Sequence, residues 1–147
     1  MTTKKASMGR VKTSNRAKRA EKFRVIICAE QLERHTYLKC RNLHIFPKKD
    51  RGGLPLRMVN EATDILADVM DANDLDLRND EERILRRATQ RHALRMCRLL
   101  IHHIELTHDL TPLDDDAFAY WAQLANDTKN QIAAWLTSDK KRLEQMQ

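Results

Sequence analysis

The chain has 147 residues, of which only three are glycine and three are proline. This is the length of one domain, and a domain of this size folds without needing a disulfide or a metal. So few turn-forming residues exclude a β-sandwich, a β-barrel and a collagen-like chain. Hydrophobic residues make up 41% and charged residues 33% of the sequence, a composition that suits amphipathic helices.

The net charge of +6 is concentrated at the N-terminus. Residues 1–22 carry eight basic side chains and one acidic side chain, or +7, which leaves −1 for the remaining residues. Residues 1–16 have no hydrophobic periodicity, so we predict a disordered basic tail before a folded domain over residues 17–147. Basic segments of this kind bind polyanions. The candidate contacts in this segment are Arg16, Lys18 and Arg19.

The sequence contains no targeting or membrane signal that we can identify. No apolar run approaches the roughly 18 residues that span a bilayer, and no apolar segment precedes Phe23. The three cysteines, Cys28, Cys40 and Cys97, form no C-x-x-C pair, which favours reduced thiols within helices. We therefore expect a cytoplasmic protein.

Hydrophobic periodicity predicts two amphipathic helices in the first half of the domain. The first runs from about Ala17 to Arg41, and a connection with Pro47 and Gly52-Gly53 follows it. The second starts near Pro55, which suits a first helical turn. The predicted core stripes are Val25, Ala29, Leu32, Thr36, Cys40 and Leu43 in the first helix, and Val59, Ala62, Ile65, Leu66, Val69 and Met70 in the second.

Two further helices complete the domain. Asn79 is expected to cap the third, which reaches about Thr107, and the Thr111-Pro112 pair is expected to open the fourth. The short link between them forces an antiparallel arrangement, so we predict an all-α, up-down-up-down antiparallel four-helix bundle. The predicted stripes are Leu85, Ala88, His92, Met96, Leu99, Leu100, His103 and Leu106 in the third helix, and Phe118, Trp121, Ala125, Thr128, Ile132 and Trp135 in the fourth.

The third helix carries a second set of apolar residues that points away from its predicted core stripe. An exposed apolar face often marks an interface, so this face predicts self-association. The alternative is a helix that is buried on two sides within one bundle. The residues concerned are Leu94, Cys97, Ile101 and Ile104.

A row of arginines follows the third helix at steps of four and three residues. Like charges at this spacing repel, so the row is expected to meet an anionic partner such as nucleic-acid phosphate or an acidic protein surface. The alternative is a merely solvated face. With few aromatic residues to stack on bases, binding would be electrostatic rather than sequence-specific. The candidates are Arg83, Arg87, Arg91, Arg95 and Arg98, with Lys48, Lys49 and Arg51 in the connection before the second helix.

The sequence contains none of the motifs that mark phosphate-binding loops, dinucleotide sites, zinc proteases or serine hydrolases. A carboxylate-bridged metal bundle needs two Glu-x-x-His units, and we find only Glu105 with His108. We therefore predict no catalytic residue, no metal and no cofactor.

Several segments together resemble the accessory variability determinant proteins of diversity-generating retroelements, which are related to proteins encoded in ribosomal RNA intervening sequences. These segments are the Ile45-Phe-Pro-Lys-Lys-Asp-Arg51 connection, the amphipathic helix after it, the arginine-rich third helix, and Leu110-Thr-Pro with the later Trp121 and Ile132-Ala-Ala-Trp135-Leu. The resemblance covers roughly residues 23–143.

The resemblance implies a non-catalytic, bacterial or phage-encoded four-helix bundle that assembles as a pentameric barrel. It implies reverse transcriptase and template-repeat RNA as partners, and a role in mutagenic cDNA synthesis. The N-terminal basic extension is longer than the resemblance predicts, and the body is less basic. A regulatory or ribosome-associated interaction module is the alternative function.

Overall fold

The computed structural model describes residues 24–146, and every regular element in that range is helical. The predicted disordered tail and the start of the first helix lie outside the described residues. The elements are α1 over residues 24–40, the 3-10 helix η1 over Lys48–Asp50, α2 over Leu54–Asp74, α3 over Asp80–Leu110, and α4 over Asp115–Met146.

Contacts between α2 and α3 show that the two helices are antiparallel. Near the start of α2, the Thr107 hydroxyl lies 3.6 Å from Met58 Sδ. Near its end, Arg86 Nη1 donates to the Ala72 carbonyl oxygen at 3.4 Å. The beginning of each helix therefore packs against the end of the other.

Helices α3 and α4 are antiparallel as well. His108 Nε2 lies 2.8 Å from Asp115 Oδ1 where α3 turns into α4, and Arg86 meets Asp139 at the far ends of these helices. Trp121 Nε1 donates to Thr36 Oγ1 at 3.0 Å, which joins α4 to α1. The described residues thus form a four-helix bundle, as the sequence predicted.

The helix ends confirm one predicted cap and correct another. Asn79 Oδ1 accepts from the backbone nitrogens of Glu81 and Glu82, both at 3.1 Å, and so caps α3 as predicted. Thr111, the predicted cap of α4, instead donates its hydroxyl to the Thr107 carbonyl and closes α3. The Thr111 oxygen accepts from the Leu113 nitrogen at 3.3 Å, ahead of α4, and Asp114 caps α4 by accepting from the Ala117 nitrogen at 2.7 Å.

The predicted core stripes of α1 and α4 are correct apart from their first or last members. In α1 only Leu43 is exposed, and in α4 only Phe118 is less than fully buried. Both helices alternate a single apolar stripe with polar residues, which makes their periodicity unambiguous. The confirmed residues are Val25, Ala29, Leu32, Thr36 and Cys40 in α1, and Trp121, Ala125, Thr128, Ile132 and Trp135 in α4.

The predicted core stripe of α3 is correct at Leu100 and His103 and is displaced by about one residue, or 100° of rotation, at most other positions. Leu85 is 55% exposed and Leu99 is 39% exposed, although both were expected inside. Polar residues occupy core positions on α3 because they bond to neighbouring helices, and a search for apolar periodicity passes over them. The buried residues are Arg86, Gln90, Ala93, Cys97, Leu100, His103, Ile104 and Thr107.

The predicted self-association face of α3 is therefore largely the interior of its own bundle. Cys97 and Ile104 have no exposed surface, so they cannot contact a second copy of the folded chain. Leu94 and Ile101 are half-buried and pack against the same core. The alternative interpretation, burial within one bundle, is correct for Cys97 and Ile104.

Replacing Ile104 with alanine should lower the free energy of unfolding by about 2–5 kcal/mol, because the lost side chain leaves a cavity in the core. Ile84, which is 69% exposed, provides the matched control, and Ile84→Ala should change stability by no more than about 0.5 kcal/mol. Urea denaturation followed by circular dichroism measures both. Equal effects of the two substitutions would contradict the orientation of α3.

Candidate nucleic-acid interface

Five arginines lie along the outer surface of α3, and we call them the arginine strip. The strip extends over residues 83–98, and its ends are about 22 Å apart at the rise of an α-helix. Four of its members are exposed, and Arg83 is half-buried with an ion pair to Asp80 at 2.9 Å. The strip consists of Arg83, Arg87, Arg91, Arg95 and Arg98.

Four arginines of the strip have no ionic partner within residues 24–146. Side chains four residues apart on a helix are about 5–6 Å apart, which is shorter than the screening length of about 8 Å at physiological salt. Their charges therefore repel without much screening, and an anion placed along the strip would relieve that repulsion. The four are Arg87, Arg91, Arg95 and Arg98.

Arg86, which lies beside the strip in the sequence, points into the bundle and is 3% exposed. Its Nε and Nη2 atoms donate to the two Asp139 oxygens at 2.7 and 3.1 Å. Nη1 donates to the Leu75 carbonyl oxygen at 2.9 Å, and the guanidinium lies 5.0 Å from the centre of the Trp135 ring. Arg86 lies four residues before Gln90, so the two side chains share the buried face of α3, whereas the arginines of the strip lie on the outer face.

The Asp139 carboxylate is bonded from a second direction as well. Gln90 Nε2 donates to Asp139 Oδ2 at 2.9 Å, so both carboxylate oxygens have partners. Charged groups are retained in an interior when they are paired and hydrogen-bonded in this way. The network joins α3 and α4 to the C-terminal end of α2.

The second basic cluster, Lys48, Lys49 and Arg51, is exposed in and after η1. This segment adjoins the beginning of α2, which packs against the C-terminal end of α3. The arginine strip occupies the N-terminal two thirds of α3 instead. The structure therefore keeps these two basic clusters in different parts of the bundle, and Arg16, Lys18 and Arg19 lie outside the described residues.

An exposed apolar seam borders the arginine strip on the side of α2. His92 lies on the same face of α3 and contacts Asp68 of α2, so the seam lies on the side of α3 that is next to α2. Asp64 and Asp71, one turn to either side of Asp68, are exposed on α2. Apolar surface is thus flanked by positive charge on one side and negative charge on the other. The seam consists of the exposed Leu85, Ala88, Leu99 and Leu110 together with the half-buried Leu106.

A groove borders the strip on its other side, between α3 and the C-terminal part of α4. Its volume is about 350 Å³. Arg83, Arg87 and Arg91 of the strip form one wall. The strip therefore lies between two surfaces of different character.

The interior also holds a buried acid and histidine. Glu61 of α2 is 5% exposed, and its Oε1 atom lies 2.7 Å from His103 Nδ1. Burial raises the pKa of the Glu61 carboxyl, and the hydrogen bond to His103 partly opposes that shift. The pair joins α2 to α3.

Burial also determines the chemistry of the thiols. It raises the pKa of Cys40 and of Cys97 to about 12, and raises the pKa of the half-buried Cys28 as well. The reactive thiolate form is therefore scarce at neutral pH. All three cysteines are free of disulfides, as the sequence predicted.

Residues 24–146 bring together no group of three or more histidine, cysteine, aspartate or glutamate side chains that could hold a metal ion. No helix in that range is both long and apolar enough to cross a membrane. Comparisons with protein-family models, with curated proteins and with solved structures find no match. The geometry described above is therefore the basis for a functional proposal.

Replacing Asp139 with asparagine should lower the free energy of unfolding by about 3–5 kcal/mol, because Arg86 would remain buried without its counter-charge. The double variant Arg86→Met, Asp139→Leu should lose less than Asp139→Asn alone, since it removes both charges. Arg83→Met, which breaks only the exposed pair with Asp80, should cost no more than about 1 kcal/mol. A double variant less stable than Asp139→Asn in urea denaturation would contradict this account.

Proposed function

We propose that this protein is a non-catalytic accessory factor of a diversity-generating retroelement. It holds structured RNA, the template-repeat RNA, on the arginine strip, associates with the reverse transcriptase, and supports mutagenic cDNA synthesis. Self-association into a ring of bundles, a pentamer in the resembled family, is part of the proposal. The observation that carries it is the row of exposed arginines without ionic partners within the described residues.

The chemistry of the strip favours phosphate. A guanidinium donates two parallel hydrogen bonds and binds phosphate more specifically than an ammonium group does. Four such groups on one rigid helix offer a fixed array without the ordering cost of a loop. Lys48, Lys49 and Arg51 would contact a second part of the same RNA. Arg16, Lys18 and Arg19 would add electrostatic affinity at the N-terminus.

We assign self-association to the apolar seam. It replaces the face first predicted from the sequence, which comprises Leu94, Cys97, Ile101 and Ile104. The seam has arginines on one side and the exposed Asp64 and Asp71 on the other. A second copy turned about an axis parallel to the helices would bring arginines of one copy against aspartates of the other. Charge complementarity of this kind fixes the register of an interface.

Reversing three charges of the strip, with Arg91→Glu, Arg95→Glu and Arg98→Glu together, should weaken binding of a structured RNA hairpin at least tenfold. The slope of log affinity against log salt should also become shallower, by about 0.7–0.9 for each phosphate contact removed. The control is Arg34→Glu, which changes an exposed arginine on α1 and should leave the slope unchanged. Fluorescence anisotropy over a range of salt concentrations measures both quantities.

An RNA affinity that is independent of salt, or equal losses from the strip and control variants, would show that the strip does not bind phosphate. Co-purification tests the protein partner. Under the proposal, the wild-type chain should retain the reverse transcriptase of its retroelement, and failure to do so would remove the retroelement from the proposal.

Introducing charge into the seam with Leu85→Glu and Leu99→Glu should convert the oligomer to a monomer, because both leucines are exposed in the isolated chain. Light scattering at micromolar concentration measures the mass. The matched control is Leu38→Glu at an exposed leucine of α1, which should leave the oligomer intact. A wild-type chain that is monomeric under these conditions would contradict self-association.

A further inference from the structure

The groove between α3 and α4 combines an apolar floor with a cationic rim. Its floor includes Leu77 and Ile84 from the α3 side, and Leu136 and Leu143 from α4. Ile84 is 69% exposed, and the two α4 leucines are half-buried. A large exposed isoleucine beside two accessible leucines forms a continuous apolar surface that a partner could cover.

The rim of the groove carries an excess of positive charge. Arg83, Arg87 and Arg91 line it from α3, and Lys140 lines it from α4. Glu144 is the one lining carboxylate that has no ion-pair partner within the described residues. The other lining acid, Asp139, is fully engaged by Arg86 and Gln90. The groove thus presents a net positive field around an apolar centre.

Two helices with a groove between them are the usual receptor for a third helix. An amphipathic helix lays its apolar face along such a groove, with side chains at positions i, i+3, i+4 and i+7 as anchors. The cationic rim requires acidic residues on the flanks of that helix. An RNA strand suits this place less well, because phosphates gain nothing from an apolar floor.

The chain itself does not offer a complementary occupant at its N-terminus. Residues 1–22 carry a net charge of +7, which has the same sign as the rim. An external acidic segment is the better electrostatic match.

We propose that the groove between α3 and α4 is a docking site for an acidic amphipathic helix of a partner protein. The apolar face of that helix covers Ile84, Leu136 and Leu143, and its carboxylates pair with Arg87, Arg91 and Lys140. This proposal extends the proposed function, because the strip arginines that line the groove would bind a protein as well as the RNA. The site itself does not require the RNA to be bound.

A synthetic peptide provides the probe. It carries leucines at helical i, i+3, i+4 and i+7 positions, glutamate at the flanking positions, and a fluorescent label. Two comparison peptides separate the contributions of shape and charge. One contains the same residues in scrambled order, and the other has lysine in place of glutamate. The full-length chain should bind the first peptide at least tenfold more tightly than either comparison peptide in fluorescence anisotropy.

Substitutions in the protein then locate the site. Ile84→Glu should weaken peptide binding at least tenfold, because it removes an anchor surface and repels the glutamates. Arg95→Glu is the matched control, since Arg95 is exposed on the same helix but does not line the groove, and it should change peptide binding less than threefold. Ile84 is exposed, so its substitution should leave the circular dichroism spectrum and thermal midpoint unchanged.

Three results would overturn the docking proposal. Equal binding of the ordered and scrambled peptides would reduce the interaction to non-specific charge attraction. Peptide binding that survives Ile84→Glu would place the peptide elsewhere. Conversion of an oligomer to a monomer by Ile84→Glu would identify a second copy of this chain as the occupant.

RNA binding distinguishes this proposal from the proposed function. Ile84→Ser, which removes the apolar anchor without placing a carboxylate beside Arg87, should weaken peptide binding and leave the affinity for the RNA hairpin within threefold of wild type. Loss of peptide binding with unchanged RNA binding supports a protein contact that the RNA does not use. If the wild-type chain binds the peptide but no RNA, the proposed function fails while the docking site remains.

Discussion

The position of α3 in the bundle depends on the buried ion pair between Arg86 and Asp139. The guanidinium bonds both carboxylate oxygens and the Leu75 carbonyl, and Gln90 bonds the same carboxylate. Each of these groups would be costly to bury alone, so the pair forms only when α3 is rotated to bring them together. A single polar contact thus fixes both the rotation and the axial position of the helix.

That rotation determines which surfaces the molecule presents. With Arg86 inside, the neighbouring arginines at 87, 91, 95 and 98 face outward, and Cys97 and Ile104 face the core. Leu85 and Leu99 are left exposed on one flank, and the groove against α4 opens on the other. RNA binding, self-association and helix docking are therefore proposed for three adjoining surfaces of one helix. Their separation follows from the register that the ion pair imposes.

Apolar periodicity predicted the number and order of the helices because α1 and α4 each have one clear stripe. The spacing of the arginines along the third helix predicted the arginine strip, because that spacing needs no tertiary information. Apolar periodicity failed on the buried face of α3 where Arg86 and Gln90 occupy core positions. Their burial depends on Asp139, which is 53 and 49 residues away in the chain, and no local pattern encodes such a pairing. The groove was missed for the same reason, since it exists only between two helices.

The free thiols have a consequence for how opening of this molecule can be observed. Cys40 and Cys97 are buried in different parts of the core and, with pKa values of about 12, are protected twice, by inaccessibility and by protonation. An alkylating reagent can reach them only when the helices separate, so the labelling rate of each reports the frequency of local opening around it. Cys40 and Cys97 therefore serve as natural probes of local opening at two places in the bundle, without any introduced label site.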